Sequence, residues 1–232
     1  MASKISLKHD AKLALEAYDK MQSYCIQENL LKHLVEEFPD HANRDAVEVK
    51  VKMLNLFYST GIQATNAMVN NIMNINRIDQ RLKEGDYTLI NEIATLSLKK
   101  CVRFNYSFAT KYCAYHQPDL YPIYDRIVAD TLVSLFEKGL LPNYKPIVNN
   151  TMLSTSHTKR TFAQYLKDYR FFVEVYRHFI EQFDLQSYTY RQVDAYIWGA
   201  FKIGGQEFEI EKLAQLDKTK IVEYYISPQK KK

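Results

Sequence analysis

The sequence predicts an all-α protein. Only six glycines and six prolines interrupt 232 residues. Between them apolar side chains recur at i, i+3 and i+4, the spacing that puts them on one face of a helix. Hydrophobic residues make up 47% of the chain, enough to bury a substantial core.

In the first long segment Ala14, Tyr18, Met21 and Cys25 lead into Ile26, Leu30, Leu34 and Phe38, a stripe predicted to pack inward until Pro39 ends the helix. The next segment is ambiguous. Val47, Val49 and Val51 alternate with charges as a strand would, and Pro39-Asp40 followed by Glu48-Val49-Lys50 spells the acidic–acidic–lysine pattern with which many nucleases hold magnesium. The same residues form a helix with Val47, Val51 and Leu54 inward and Glu48 paired to Lys52, and no neighbouring segment reads as a partner strand. Helix is the preferred reading, with a metal-dependent nuclease as a minor alternative.

Residues 53–76 carry no charge, yet their six asparagines and Gln63 are too many amides for a membrane span, so the stretch reads as buried or ligand-facing. Shorter helices are predicted around 60–74, 86–99, 107–116, 126–138 and 189–202, with loops at Pro118–Tyr121 and Leu140–Ser156. From Phe162 through Leu166, Tyr169, Phe172, Tyr176 and Phe179 to Phe183 the stripe predicts one helix of about six turns. Residues 205–225 alternate weakly and fit either a helix or a small strand pair.

Three cysteines, Cys25, Cys101 and Cys113, are odd in number and widely spaced, which suits reduced thiols in a cytoplasmic protein. The N-terminus lacks the apolar run of a signal peptide. A net charge of +4 and a pI near 8.7 permit binding to a polyanion. Phosphate-loop, dinucleotide, serine-hydrolase and zincin signatures are missing from the sequence.

The chemistry concentrates in two places. Ser107 to Pro118 reads as a helix carrying Lys111 and His116, followed by a turn, Tyr121-Pro122-Ile123-Tyr124-Asp125, that opens the next helix. Taken alone, Asp125 is an N-cap for the helix of Val128, Leu132 and Leu135, and Lys111 is a solvated surface lysine. Nearer the C-terminus, Asp194 and Trp198 lie four apart on one helical face; Trp198 is the single tryptophan. A core tryptophan beside a surface aspartate is the plain structural reading. A third segment, Leu56 to Gln63, offers Thr60 either as a helix cap or as one of several small polar side chains.

The lysine helix, the Pro-Ile-Tyr-Asp turn and the helix it opens resemble the catalytic segment of the helix-hairpin-helix DNA glycosylase superfamily, in particular the 8-oxoguanine DNA glycosylase-like group. The resemblance covers about residues 50–200. It implies a two-lobed helical bundle and an enzyme, with Lys111 as nucleophile and Asp125 as the carboxylate at the mouth of a base pocket. Asp194, Trp198, Tyr121, Tyr124 and His116 would line that pocket, and Thr60 and Gln63 would lie where such enzymes insert a polar wedge into the duplex. Where the family carries a glycine-rich hairpin, this chain has Arg103-Phe104-Asn105-Tyr106-Ser107, so Arg103, Asn105 and Ser107 become the donors to a DNA phosphate.

The expected organisation is a single compact unit, with one lobe over about 51–140 and the other over 1–50 plus 141–204. Residues 205–232 form a C-terminal extension ending in a basic tail. The expected function is excision of a modified guanine- or cytosine-derived base from a flipped nucleotide, with lysine imine and lyase chemistry as an extension. It needs no cofactor and no metal, and its partner is duplex DNA rather than a membrane, met by a monomer. The alternative is a non-catalytic DNA-binding or adaptor protein on the same fold, and more remotely a helical interaction protein unrelated to DNA.

Overall fold

A computed structural model describes residues 7–18, 22–141, 147–148, 151–152 and 159–203. The architecture is mostly helical, as predicted. The chain divides into two compact units, Ser23–Tyr124 and a terminal unit of Met1–Gln22 with Asp125–Lys232. These divisions fall at 22/23 and 124/125, whereas the expected lobes were bounded at 50/51 and 140/141.

The Ser23–Tyr124 unit contains α2 (Gln22–Glu37), α3 (Arg44–Tyr58), α4 (Thr65–Met73), α5 (Ile78–Glu84), α6 (Thr88–Ala94), a hairpin of β1 (Thr95–Leu98) and β2 (Cys101–Phe104), and α7 (Tyr106–His116). Asn43 caps α3 by accepting from the amides of Asp45 and Ala46. Val47, Val51 and Leu54 then face inward and Glu48 pairs with Lys52 on the outside, the helical arrangement expected of this ambiguous segment. Helix α3 packs on α4 and α7, and α6 packs on α7. Their shared core includes Met68, Val69, Ile72, Leu89, Ile90, Ile93 and Phe108, each fully or almost fully buried. Burying each such side chain contributes about 1.5–3 kcal/mol.

Three expectations for this unit are corrected. The stripe of Ile26, Leu30 and Phe38 does not pack inward: these residues are exposed, and α2 buries Leu31 and Val35 instead. The helix expected over 86–99 ends at Ala94, where β1 begins; Leu98 and Cys101 pair, leaving Lys99 and Lys100 as the turn. Alternation over only four residues per strand was too short to stand out against the helical pattern around it. Thr60 is no helix cap. Helix α4 starts after Ala64, and the Thr60 hydroxyl donates instead to Asn55 Oδ1 at 2.8 Å.

The terminal unit contains α1 (Lys8–Tyr18), α8 (Arg126–Glu137), a short pair β3 (Ile147–Val148) and β4 (Thr151–Met152), α9 (Lys159–Tyr165), α10 (Tyr169–Gln182) and α11 (Tyr190–Ile203). The long helix expected over 162–183 is two helices. Asp168 accepts from the amides of Arg170 and Phe171 and caps α10, so a polar side chain restarts the helix while the apolar stripe continues across the break. Helix α11 packs on α1 and α8. The core gathers Leu132, Phe162, Phe172, Tyr176, Phe179, Phe183 and Tyr196, with Phe136 stacked on Phe162 at 4.1 Å. Residues 205–225 lie outside the described residues. No helix among the described residues is long and apolar enough to cross a membrane.

Candidate functional site

Lys111 is buried, with 4% of its surface exposed. It is not the solvated lysine that its side-chain type suggests. Its Nζ donates to Ser107 Oγ, one turn earlier on α7, at 2.8 Å, and lies 5.4 Å from the centroid of the Tyr58 ring. The Tyr58 hydroxyl is in turn 2.6 Å from that of Tyr115. The amine is thus buried beside an aromatic ring and a hydroxyl.

Other expected site residues of this unit are distributed around it. Tyr121 is fully buried, with its hydroxyl near the carbonyls of Arg81 and Asp86 and its ring edge-on to Tyr87, so it is part of the core rather than a pocket lining. Tyr124 is half-buried against Tyr106, 4.6 Å between centroids, and its amide donates to Thr110 Oγ1. Ser107 is the partner of Lys111, as above. Asn105 bonds back to Ala94 through its amide at 2.8 Å, closing the base of the hairpin. Arg103 is exposed on β2, and Gln63 is exposed before α4.

His116 belongs to a network that the sequence did not reveal. His41, in the loop after α2, bonds Asp79 of α5 through Nδ1 at 2.6 Å and Tyr112 of α7 through Nε2 at 2.8 Å. Its ring stacks on that of His116, 4.9 Å between centroids. Burial is the first cause that lowers the pKa of both histidines; Lys50 lowers both further, and Asp79 partly offsets the effect at His41. Both are therefore neutral at pH 7. In His41 the Nδ1 proton goes to Asp79 while Nε2 accepts the Tyr112 proton. His116 bonds the Pro39 backbone, and since a proline offers only its carbonyl, one ring nitrogen donates there. Its Nε2 is enclosed and has no protein partner.

Lys50 completes the network. It is 2% exposed, donates to the Asp40 carbonyl at 3.2 Å, and is pushed down to about 8, chiefly by burial. One signal for it was available: Val47, Lys50, Val51 and Leu54 occupy i, i+3, i+4 and i+7, so the lysine interrupts an inward face. His41, Asp79 and Tyr112 had no comparable signature. Among the described residues no group of three or more histidine, cysteine, aspartate or glutamate side chains is arranged to hold a metal ion.

In the terminal unit Asp125 is the N-cap of α8, accepting from the Val128 amide at 2.9 Å, as the sequence alone suggested. Asp194 is buried and paired with Arg191 one turn earlier on α11, whereas Trp198 is only half-buried, the reverse of the core-tryptophan, surface-aspartate arrangement. Tyr176 of α10 lies in the same unit. It is fully buried, and its phenol is held well above the usual range, first by burial and then by the charges of Asp194 and Asp125. The charges of Asp125 and Asp194 both add to that upward shift, which sequence spacing did not disclose.

The fold and these sites define a mostly helical protein with two buried lysines, Lys50 and Lys111, in one unit and the carboxylates of Asp125 and Asp194 in the other. Residues 10–120 match a family model described as HI_0787_N, N-terminal domain. The matched region includes Lys50, Lys111 and His116 and ends before Asp125. The chain is also similar to a Haemophilus influenzae protein described as uncharacterized, 32% identical over 148 residues, which are 64% of this chain and 62% of that protein. The chain therefore spans less than two thirds of that relative's length. No solved structure matches.

Proposed function

We propose that the chain excises a modified base from DNA, with Lys111 as the nucleophile. The observation that carries this reading is the burial of the Lys111 amine beside Ser107 Oγ and the Tyr58 ring. The resemblance of the segment from Lys111 to Asp125 to helix-hairpin-helix glycosylases supplies the reaction class. In that reaction the neutral amine forms a bond to C1′ of the deoxyribose as the bond to the base breaks. The base leaves with a proton, and opening of the sugar ring gives an imine. Positive charge develops on the sugar during bond breaking, and a carboxylate lowers that barrier electrostatically. The resemblance gives this role to Asp125, and the reading and stacking of the flipped base to Asp194 and Trp198.

Borohydride trapping tests the reading. The protein is incubated with duplex oligonucleotides bearing 8-oxoguanine, an abasic site or a modified cytosine, then reduced and run on a denaturing gel. A covalent adduct that disappears in Lys111→Met is the expected result. No adduct, together with no base released by mass spectrometry, would remove the enzymatic reading for these substrates. A non-catalytic DNA-binding protein is then the reading that the exposed basic hairpin favours.

A further inference from the structure

The β1–β2 hairpin leads into residues 103–107, the chain position at which the resembled enzymes carry a glycine-rich phosphate-binding loop before the lysine helix. It is built differently. Its two-residue turn is Lys99-Lys100, both exposed, and Arg103 follows on β2. In the register Thr95 faces Phe104 and Ser97 faces Val102, so these four side chains share one face of the ribbon. All four are exposed, Val102 at 66% and Phe104 at 52%. Phe104 is also positioned: its ring stacks nearly parallel on Tyr106, 5.7 Å apart and 11° from coplanar, and Tyr106 packs on Tyr124.

Charge decides what this face is suited to meet. From residue 93 to residue 118 the sequence contains no aspartate or glutamate, while the exposed Lys99, Lys100 and Arg103 fall within that run. Lys99 and Lys100 form the basic tip and Phe104 stands in the pair farthest from it on the same ribbon; cations that take phosphates together with a ring that takes the face of an unstacked base are the combination that binds a nucleic-acid strand. A two-stranded ribbon also presents its tip on a short, defined stem, here tied at its base by the Asn105 amide bonding Ala94. We infer that the 95–104 hairpin is a nucleic-acid-binding element: Lys99 and Lys100 at its tip hold backbone phosphates, and Phe104 at its base stacks on a base exposed by a defect in the duplex. This deepens the excision reading and rests on it for the choice of DNA as the nucleic acid.

The test is fluorescence anisotropy with the full chain and a labelled duplex carrying one central mismatch, titrated at several salt concentrations. Each phosphate contact contributes about 0.9 to the slope of log affinity against log salt, so Lys99→Gln with Lys100→Gln is expected to reduce that slope by about 2. Phe104→Ala is expected to weaken mismatch binding by roughly five- to a hundredfold, and Phe104→Trp to restore it. Circular dichroism establishes that each variant is folded. Unchanged affinity and slope in these variants would overturn the inference, as would equal losses for the mismatched duplex and for heparin in Phe104→Ala. Trapping on the same oligonucleotides separates the two claims. Hairpin-dependent binding without an adduct leaves this inference standing and removes the excision reading, and a Lys111-dependent adduct with hairpin-independent binding does the opposite.

Discussion

The Tyr112 hydroxyl lies 2.8 Å from His41 Nε2, joining the middle of α7 to a loop residue 71 positions earlier in the chain. Asp79 holds the other ring nitrogen, so a carboxylate, an imidazole and a phenol form a continuous chain inside the Ser23–Tyr124 unit. Tyr112→Phe leaves the enclosed imidazole nitrogen without its donor at almost constant volume. The expected cost is about 1–3 kcal/mol, read as a lower urea midpoint by circular dichroism. An unchanged midpoint would mean that the bond contributes nothing to stability.

The same network predicts sensitivity to acid. His41 and His116 both have folded-state pKa values below 6.5, so as pH falls below 6.5 the unfolded chain takes up protons that the folded chain refuses. Stability contributed by the neutral rings is fully present above pH 6.5 and is lost as pH falls below it. The slope approaches about 1.4 kcal/mol per pH unit for each histidine. Urea titrations between pH 7 and pH 5 measure it, and His116→Phe should reduce the slope.

Lys50 adds a prediction of opposite chemical character. Its pKa falls from 10.5 to about 8 on folding, so the folded state disfavours the charged form. Stability is greatest above pH 10.5, declines as pH drops towards 8, and stays at the lower level beneath it. Lys50→Met removes that penalty and is expected to raise stability at pH 7 by about 1–3 kcal/mol. Since Lys50 also depresses both histidines, the variant should show histidine titrations shifted upward by NMR.

Asp125 allows its structural and proposed chemical roles to be separated. Asparagine caps a helix about as well as aspartate, so Asp125→Asn should leave the thermal midpoint nearly unchanged while abolishing base release. Asp125→Ala should lose base release and also about 1 kcal/mol of stability. Base release that survives in Asp125→Asn would restrict Asp125 to capping.

Much of the helical scaffold was readable from sequence because periodicity and capping are local. The inward set of Val47, Val51 and Leu54 and the cap at Asp125 each follow from residues within two turns of one another. The same local signals misled where two readings shared one pattern. The stripe from Phe162 to Phe183 is continuous in spacing although Asp168 divides it, and Ile26, Leu30 and Phe38 are helically spaced although α2 buries another face.

The sequence by itself determined a helical fold and placed lysine, histidine and aspartate on helices α7, α8 and α11. Only the tertiary structure decided which of them are enclosed. Lys111 and Lys50 are buried because neighbouring elements close over them, and His41 has its partners because α5 and α7 meet its loop. Both α10 and α11 pack on α8, and the charges of Asp125 and Asp194 both raise the Tyr176 phenol. Solvation and electrostatic coupling depend on distances between segments remote in the chain, and spacing along one helix carries no information about them.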